Sequence, residues 1–79
     1  HMLDVESRIE ELVFRRDEVE LKKQMHMQII SSKQIELRDI PDPDKPPVLL
    51  SLLPDFRRME ELRAVAAMID REHDRHMEY

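Results

Sequence analysis

The sequence contains no glycine, no cysteine and no tryptophan. The missing glycine excludes the most. Glycine supplies the positive-φ positions of tight β-hairpin turns and of many helix C-caps. A many-stranded β fold therefore does not fit this chain, and the glycine-rich loops that cradle phosphates in nucleotide-binding folds are ruled out. Without cysteine there are no disulfides and no thiolate metal sites. Aromatic residues make up only 4% of the chain, too few for a wide globular core. No apolar run approaches the roughly 20 residues of a membrane span, and no signal-peptide pattern is present.

What remains is charge and aliphatic side chains in helical rhythm. Charged residues make up 39% of the 79-residue chain, with a net charge of −5. Mild acidity argues against a nucleic-acid partner, which needs a dense basic patch. Arg15-Arg16 and Lys22-Lys23 are interleaved with Asp17, Glu18 and Glu20 and read as a solvated helix face. A core in so short a chain is marginal unless something staples it, and oligomerisation is the staple left open. An intracellular location, cytoplasmic or nuclear, is the default expectation. His1-Met2 resembles a cloning remnant, which would make Leu3 to Tyr79 an excised piece of a longer protein.

Three parts follow along the chain. Residues 3–38 predict a long first helix with Asp4 as N-cap. Val5, Ile9, Leu12, Val19, His26, Ile30 and Leu37 form one stripe, interrupted by Arg16, Lys23 and Lys33. Leu3, Phe14, Leu21, Met25 and Ile29 form a second stripe on the opposite side. A helix apolar on two sides touches more than one neighbour, which favours a bundle over a plain two-stranded coil. Within residues 25–40, Met25, Met27 and Ile29 alternate with polar residues, as do Ile35 and Leu37, so a short β-hairpin competes with helix there.

Residues 39–54 carry all five prolines and predict a stiff, extended linker. A short helix over 48–53 is admitted, since Asp44 can cap it and Pro46 and Pro47 suit a first turn. Residues 55–79 predict a second helix starting at Asp55 as N-cap. Its Met59, Leu62, Ala66, Ile69, His73 and His76 alternate at spacings of three and four, the seam of a coiled coil. The linker allows the helices to fold back as an unequal hairpin, leaving part of the first helix uncovered.

Leu49-Leu50-Ser51-Leu52-Leu53 has the pattern LxxLL. It resembles the short leucine motif by which transcriptional coactivators dock nuclear receptors, which implies that Leu49, Leu52, Leu53 and Phe56 would enter a groove on a partner. The plainer reading is that these leucines close the bundle near the connection. His73 and His76 lie one turn apart, but one exposed helix cannot supply four ligands to a metal. Glu10-Glu11 and Glu60-Glu61 are ordinary helix-surface charge.

The sequence thus predicts an all-α fold: two helices joined by a Pro-rich linker, forming a coiled-coil or helical-bundle oligomer. The expected function is oligomerisation or scaffolding within a larger regulatory or structural protein, not catalysis. Val5, Ile9, Leu12, Val19, Met59, Leu62, Ala66 and Ile69 are the candidate interface. The expected partner is a second copy or another helical protein, with no nucleic acid, membrane, small-molecule substrate, cofactor or metal. The alternative function is docking through the LxxLL segment.

Overall fold

The computed structural model describes residues 2–77, with side chains from Asp4 onward. Helix α1 spans Met2–Leu37, a 3-10 turn spans Asp42–Asp44, α2 spans Lys45–Ser51 and α3 spans Leu53–Met77. The fold is all-α. The predicted helix limits at Leu3 and Tyr79 and the His1-Met2 remnant touch residues or side chains outside those described.

The α1 helix continues through the stretch where a β-hairpin competed with it. Alternation over Met25 to Leu37 loses to helix because Met and Gln lose little rotamer freedom in a helix. No residue there has the positive φ that a tight two-residue hairpin turn requires. Asp4 lies inside the first turn of α1 rather than before it, where its charge favours the helix dipole.

With no glycine to enter the left-handed region, α1 ends by tightening. Arg38 N–H donates to Ile35 O at 3.2 Å, Asp39 N–H to Glu36 O at 3.1 Å, and Ile40 N–H to Leu37 O at 3.3 Å. These three-residue bonds satisfy the last carbonyls. Pro41 then takes an extended conformation (φ −58°, ψ 144°) and stops the helix.

The predicted extended linker is instead mostly helical. After Pro41 the chain re-enters helix at once, with Asp44 N–H donating to Pro41 O at 2.9 Å and Lys45 bridging to Asp42 at 2.8 Å. Two of the first three residues of α2 are prolines, so two of its orphan N–H donors do not exist. Asp44 is the N-cap residue, yet its side chain makes no capping bond. The break between α2 and α3 falls on Leu52 alone. Pro54 has no N–H to give Leu50 O, so the ladder is interrupted and resumes at Phe56 N–H to Leu52 O, 3.1 Å.

The return arm is therefore α2 followed almost directly by α3. Its 7 and 25 residues nearly match the 36 of α1. The expectation of an unequal hairpin with part of the first helix uncovered is corrected by this match: α2 also packs on α1. The molecule is a rod of 61 × 15 × 15 Å. Its radius of gyration is 18.1 Å, against about 12 Å for a globular chain of this length.

The core is a single line of side chains between the two arms. Leu12 and Val19 of α1 pack with Leu62 and Ile69 of α3, and Ala66 packs against them half-buried. Ile30, Leu52 and Met59 extend the buried line toward the connection. Buried and half-buried residues of α1 fall at 9, 12, 19, 23, 26, 30, 33 and 37, with Val13 beside them, and those of α3 at 55, 59, 62, 66, 69, 73 and 76, with Glu72 beside them. This is the spacing of threes and fours that keeps one face of each helix turned to its neighbour.

Two substitutions test this arrangement. Leu62→Ala removes a buried side chain from the centre of the cluster and is expected to cost about 2–5 kcal/mol, read as a lower urea midpoint by circular dichroism. Leu50→Ala, at an exposed side chain, is expected to stay within about 0.5 kcal/mol.

Candidate protein interface

The seam layer nearest the connection on α3 carries a cross-arm polar pair. His26 Nδ1 lies 2.9 Å from Asp55 Oδ1, with 27% and 18% of the two side chains exposed. A carboxylate only accepts, so the hydrogen of this bond is carried by Nδ1. Asp55 sits in the first turn of α3, where the helix dipole also favours its charge. It was expected to be the N-cap of that helix. The structure puts the cap position one turn earlier and frees the carboxylate to reach across to α1.

This pair sets the register. One heptad away on each arm, toward the N-terminus on α1 and the C-terminus on α3, Val19 comes level with Leu62. A second heptad brings Leu12 level with Ile69. Those four residues are the buried cluster. The cationic interruptions of the seam lie at its margins: Lys23 reaches Glu20 at 3.6 Å and Lys33 reaches Glu36 at 3.2 Å. Their stems cover apolar surface while the ammonium groups stay wet.

Leu12, Val19, Met59, Leu62, Ala66 and Ile69, read from the sequence as an oligomer interface, are thus placed in the contact between the arms of one chain, with Ile9 half-buried beside it. Val5 remains exposed near the open end. The same residues leave little free apolar surface on that side.

The second stripe is another matter. Of its residues, Phe14, Leu21 and Met25 are 63%, 63% and 64% exposed and Ile29 is 44% exposed; Ile35, which the sequence reading did not count in it, extends the same face at 61%. Their spacing of seven, four and ten residues keeps them on the face of α1 turned away from α3. The side chain of Leu3, counted in this stripe from the sequence, lies outside those described. The accessible surface of the chain is 6489 Å². A compact monomer of 9.6 kDa exposes about 5,100 Å², so the rod carries an excess of about 1,400 Å² over that expectation.

The LxxLL segment is divided by the fold. Leu52 is the most deeply buried side chain, 2% exposed, whereas Leu49, Leu53 and Phe56 are exposed to between 42% and 49%. A docking helix needs its three leucines on one free face, and here the middle anchor closes the hairpin. Phe56 instead lines a groove of about 270 Å³ with Met27, Ile30 and Met59, rimmed by Glu60 and Arg63. That groove is not legible in the sequence, because Met27 and Phe56 belong to different segments and meet only through the register.

At the open end His73 and His76 are half-buried. His76 Nε2 is buried without a hydrogen-bond partner and lies 3.6 Å from Glu72 Oε1. Among the described residues no three His, Asp or Glu side chains converge in a way that would hold a metal ion. Nor is any helix among them long and apolar enough to cross a membrane. No protein-family model, curated protein or solved structure matches the chain.

The polar layer generates a prediction. His26→Leu leaves Asp55 without its partner and is expected to cost about 1–3 kcal/mol. Adding Asp55→Leu should recover most of that loss, because an apolar pair fits the same layer. Urea unfolding of the single and double variants measures both.

Proposed function

We propose that this chain is a helical assembly module, part of a larger regulatory or structural protein, which folds its own arms together and offers the outer face of α1 to a further helix. The observation that carries this reading is the stripe of Phe14, Leu21, Met25 and Ile35. Four large apolar side chains, each more than three-fifths exposed, stand in line at helical spacing. Single exposed apolar residues are ordinary on any surface, but four repeated along one face of a helix, here with Glu18, Gln28 and Ser32 between them, support a binding face.

Scaffolding also agrees with the chemistry of the rest. The surface is dense in charge, the seam is narrow, and the polar side chains are engaged in short-range pairs such as Arg15–Glu11 at 2.9 Å and Arg63–Glu60 at 2.7 Å. Such pairs contribute only tenths of a kcal/mol each and serve mainly to keep long helices soluble.

The alternative of a docking peptide at residues 49–53 is less well supported, since use of Leu52 by a partner would open the connection. Leu52→Ala together with Leu53→Ala is therefore expected to lower thermal stability rather than to remove binding alone.

The module reading is tested on the outer face. Leu21→Glu with Met25→Glu is expected to keep the helical circular dichroism signal, because neither side chain enters the core. It should reduce association at least tenfold in molar-mass measurements by light scattering, alone or with a helical partner. Unchanged association of a well-folded double variant would remove the outer face as the interface.

A further inference from the structure

We infer that the flank of the rod on which Met27 and Phe56 meet docks a basic amphipathic helix of another protein, apolar at one end and rich in lysine or arginine along the rest. This surface is separate from the outer stripe of α1 and stands or falls without it.

The anchor point is the groove between the arms, about 270 Å³, to which Met27, Ile30, Phe56 and Met59 supply the apolar lining. Met27 and Phe56 are 50% and 44% exposed, so that lining is open to solvent. The volume falls below the roughly 300–1,000 Å³ of a small-molecule site. It suits instead an apolar side chain carried in by a helix. Two flexible methionines let the lining adapt to the shape of that side chain.

The groove also defines its flank. Its walls include Met27, Ser31 and Gln34 of α1 and Phe56, Glu60 and Arg63 of α3. The seam repeats every seven residues, so positions whole multiples of seven away from these stay on the same flank. Toward the open end they bring Glu20, Asp17, Glu10 and Glu6 of α1, and Asp70 and Asp74 of α3. With Glu60 at the groove rim this makes seven carboxylates, all on exposed residues. Three cations share the flank: Arg63, held by Glu60 at 2.7 Å, Lys23, held by Glu20 at 3.6 Å, and Arg16, one repeat before Lys23. The flank has a net charge of −4. Among the described residues, Glu6, Glu10, Asp17 and Asp70 have no ion pair.

Charge then selects the occupant. The opposite flank, marked by the cleft that Arg8, Glu11, Arg15 and Glu72 line, is close to balanced. Its repeats carry six cations (Arg8, Arg15, Lys22, Lys33, Arg58 and Arg75) against seven carboxylates, a net −1. A second copy therefore does not complement the acidic flank. A two-fold contact would set carboxylates on carboxylates, and the other flank has no surplus of positive charge to offer. Nucleic acid and anionic membrane are repelled for the same reason. A cationic helix is attracted. From Glu20 to Glu6 the carboxylates run about 21 Å along the rod, about four turns of an occupant helix. The groove at one end and the acidic row toward the other also fix its direction, apolar end to the groove.

The probe is a fluorescent helical peptide of about 20 residues, with leucines on one face of its first two turns and lysines over the rest. Fluorescence anisotropy with the full chain is expected to show saturable binding that weakens as salt is raised. Asp17→Asn with Asp70→Asn and Glu10→Gln is expected to weaken it about tenfold, the sum of three exposed ion pairs. Met27→Ser with Phe56→Ser is expected to weaken it about tenfold as well, through lost burial of the anchor. Both variants should keep the helical circular dichroism signal, because the substituted residues are exposed. Leu21→Gln with Met25→Gln should bind as the unaltered chain does. Weakened binding by that variant would move the site to the outer stripe and overturn the proposal. So would affinity that survives either of the first two sets, equal binding of the peptide with glutamate in place of lysine, or no binding at about 1 mM chain.

Discussion

Everything in this molecule hangs on one narrow seam. Two long arms meet along a line of aliphatic side chains, one or two per turn, and no third layer covers them. Leu12, Val19, Leu62 and Ile69 form its packed centre, and Leu52 closes it at the connection. Each buried leucine or isoleucine contributes about 1.5–3 kcal/mol of burial, against an ordering cost of 1–2 kcal/mol for every residue's backbone. So few buried side chains cannot hold two arms of this length with much margin. Further burial on another helix is the physical route to stability when disulfides are unavailable.

The absence of glycine shapes the connection as much as the arms. A left-handed C-cap at the end of α1 would let the chain reverse in two or three residues. This chain turns without one: three tightening bonds, a proline, a 3-10 turn and a short helix. The prolines do not stiffen an extended strap; they sit at the boundaries of helical segments. Pro41 stops one helix, Pro46 and Pro47 start the next, and Pro54 marks the single break before α3. Because the reversal is itself helical, the return arm nearly matches α1 in length.

Periodicity made the arms legible. The run Met59, Leu62, Ala66, Ile69, His73, His76 follows the seam of α3, and the inner stripe of α1 was readable despite Arg16, Lys23 and Lys33. The outer stripe was visible in part, because Phe14, Leu21 and Met25 are large and recur at spacings of seven and four. The connection was not legible, since proline reads both as a helix breaker and as a helix starter, and only the surrounding bonds decide. Asp55 was misplaced for a related reason. An aspartate near a proline looks like a cap, and its pairing with His26, 29 positions away, is a long-range fact that local spacing does not carry. Leu52 shows the same limit, since a leucine motif looks alike whether its leucines face a partner or the chain's own interior.

Two stripes of similar spacing on one helix pose a problem of choice, because α3 could in principle lie on either. Hydrophobicity alone does not decide it, since the outer stripe offers Phe14, Leu21, Met25 and Ile35. The polar layer does. On the inner face Asp55 meets an imidazole at 2.9 Å, and the arms then register with Val19 on Leu62 and Leu12 on Ile69. On the outer face the polar seam positions are Glu18, Gln28 and Ser32, none of them a cation, so a half-buried Asp55 carboxylate would find at best a neutral donor and in one register another carboxylate. One polar pair among apolar layers is a known device for fixing register at some expense of stability. Here it assigns the inner face of α1 to its own return arm and leaves the outer face exposed.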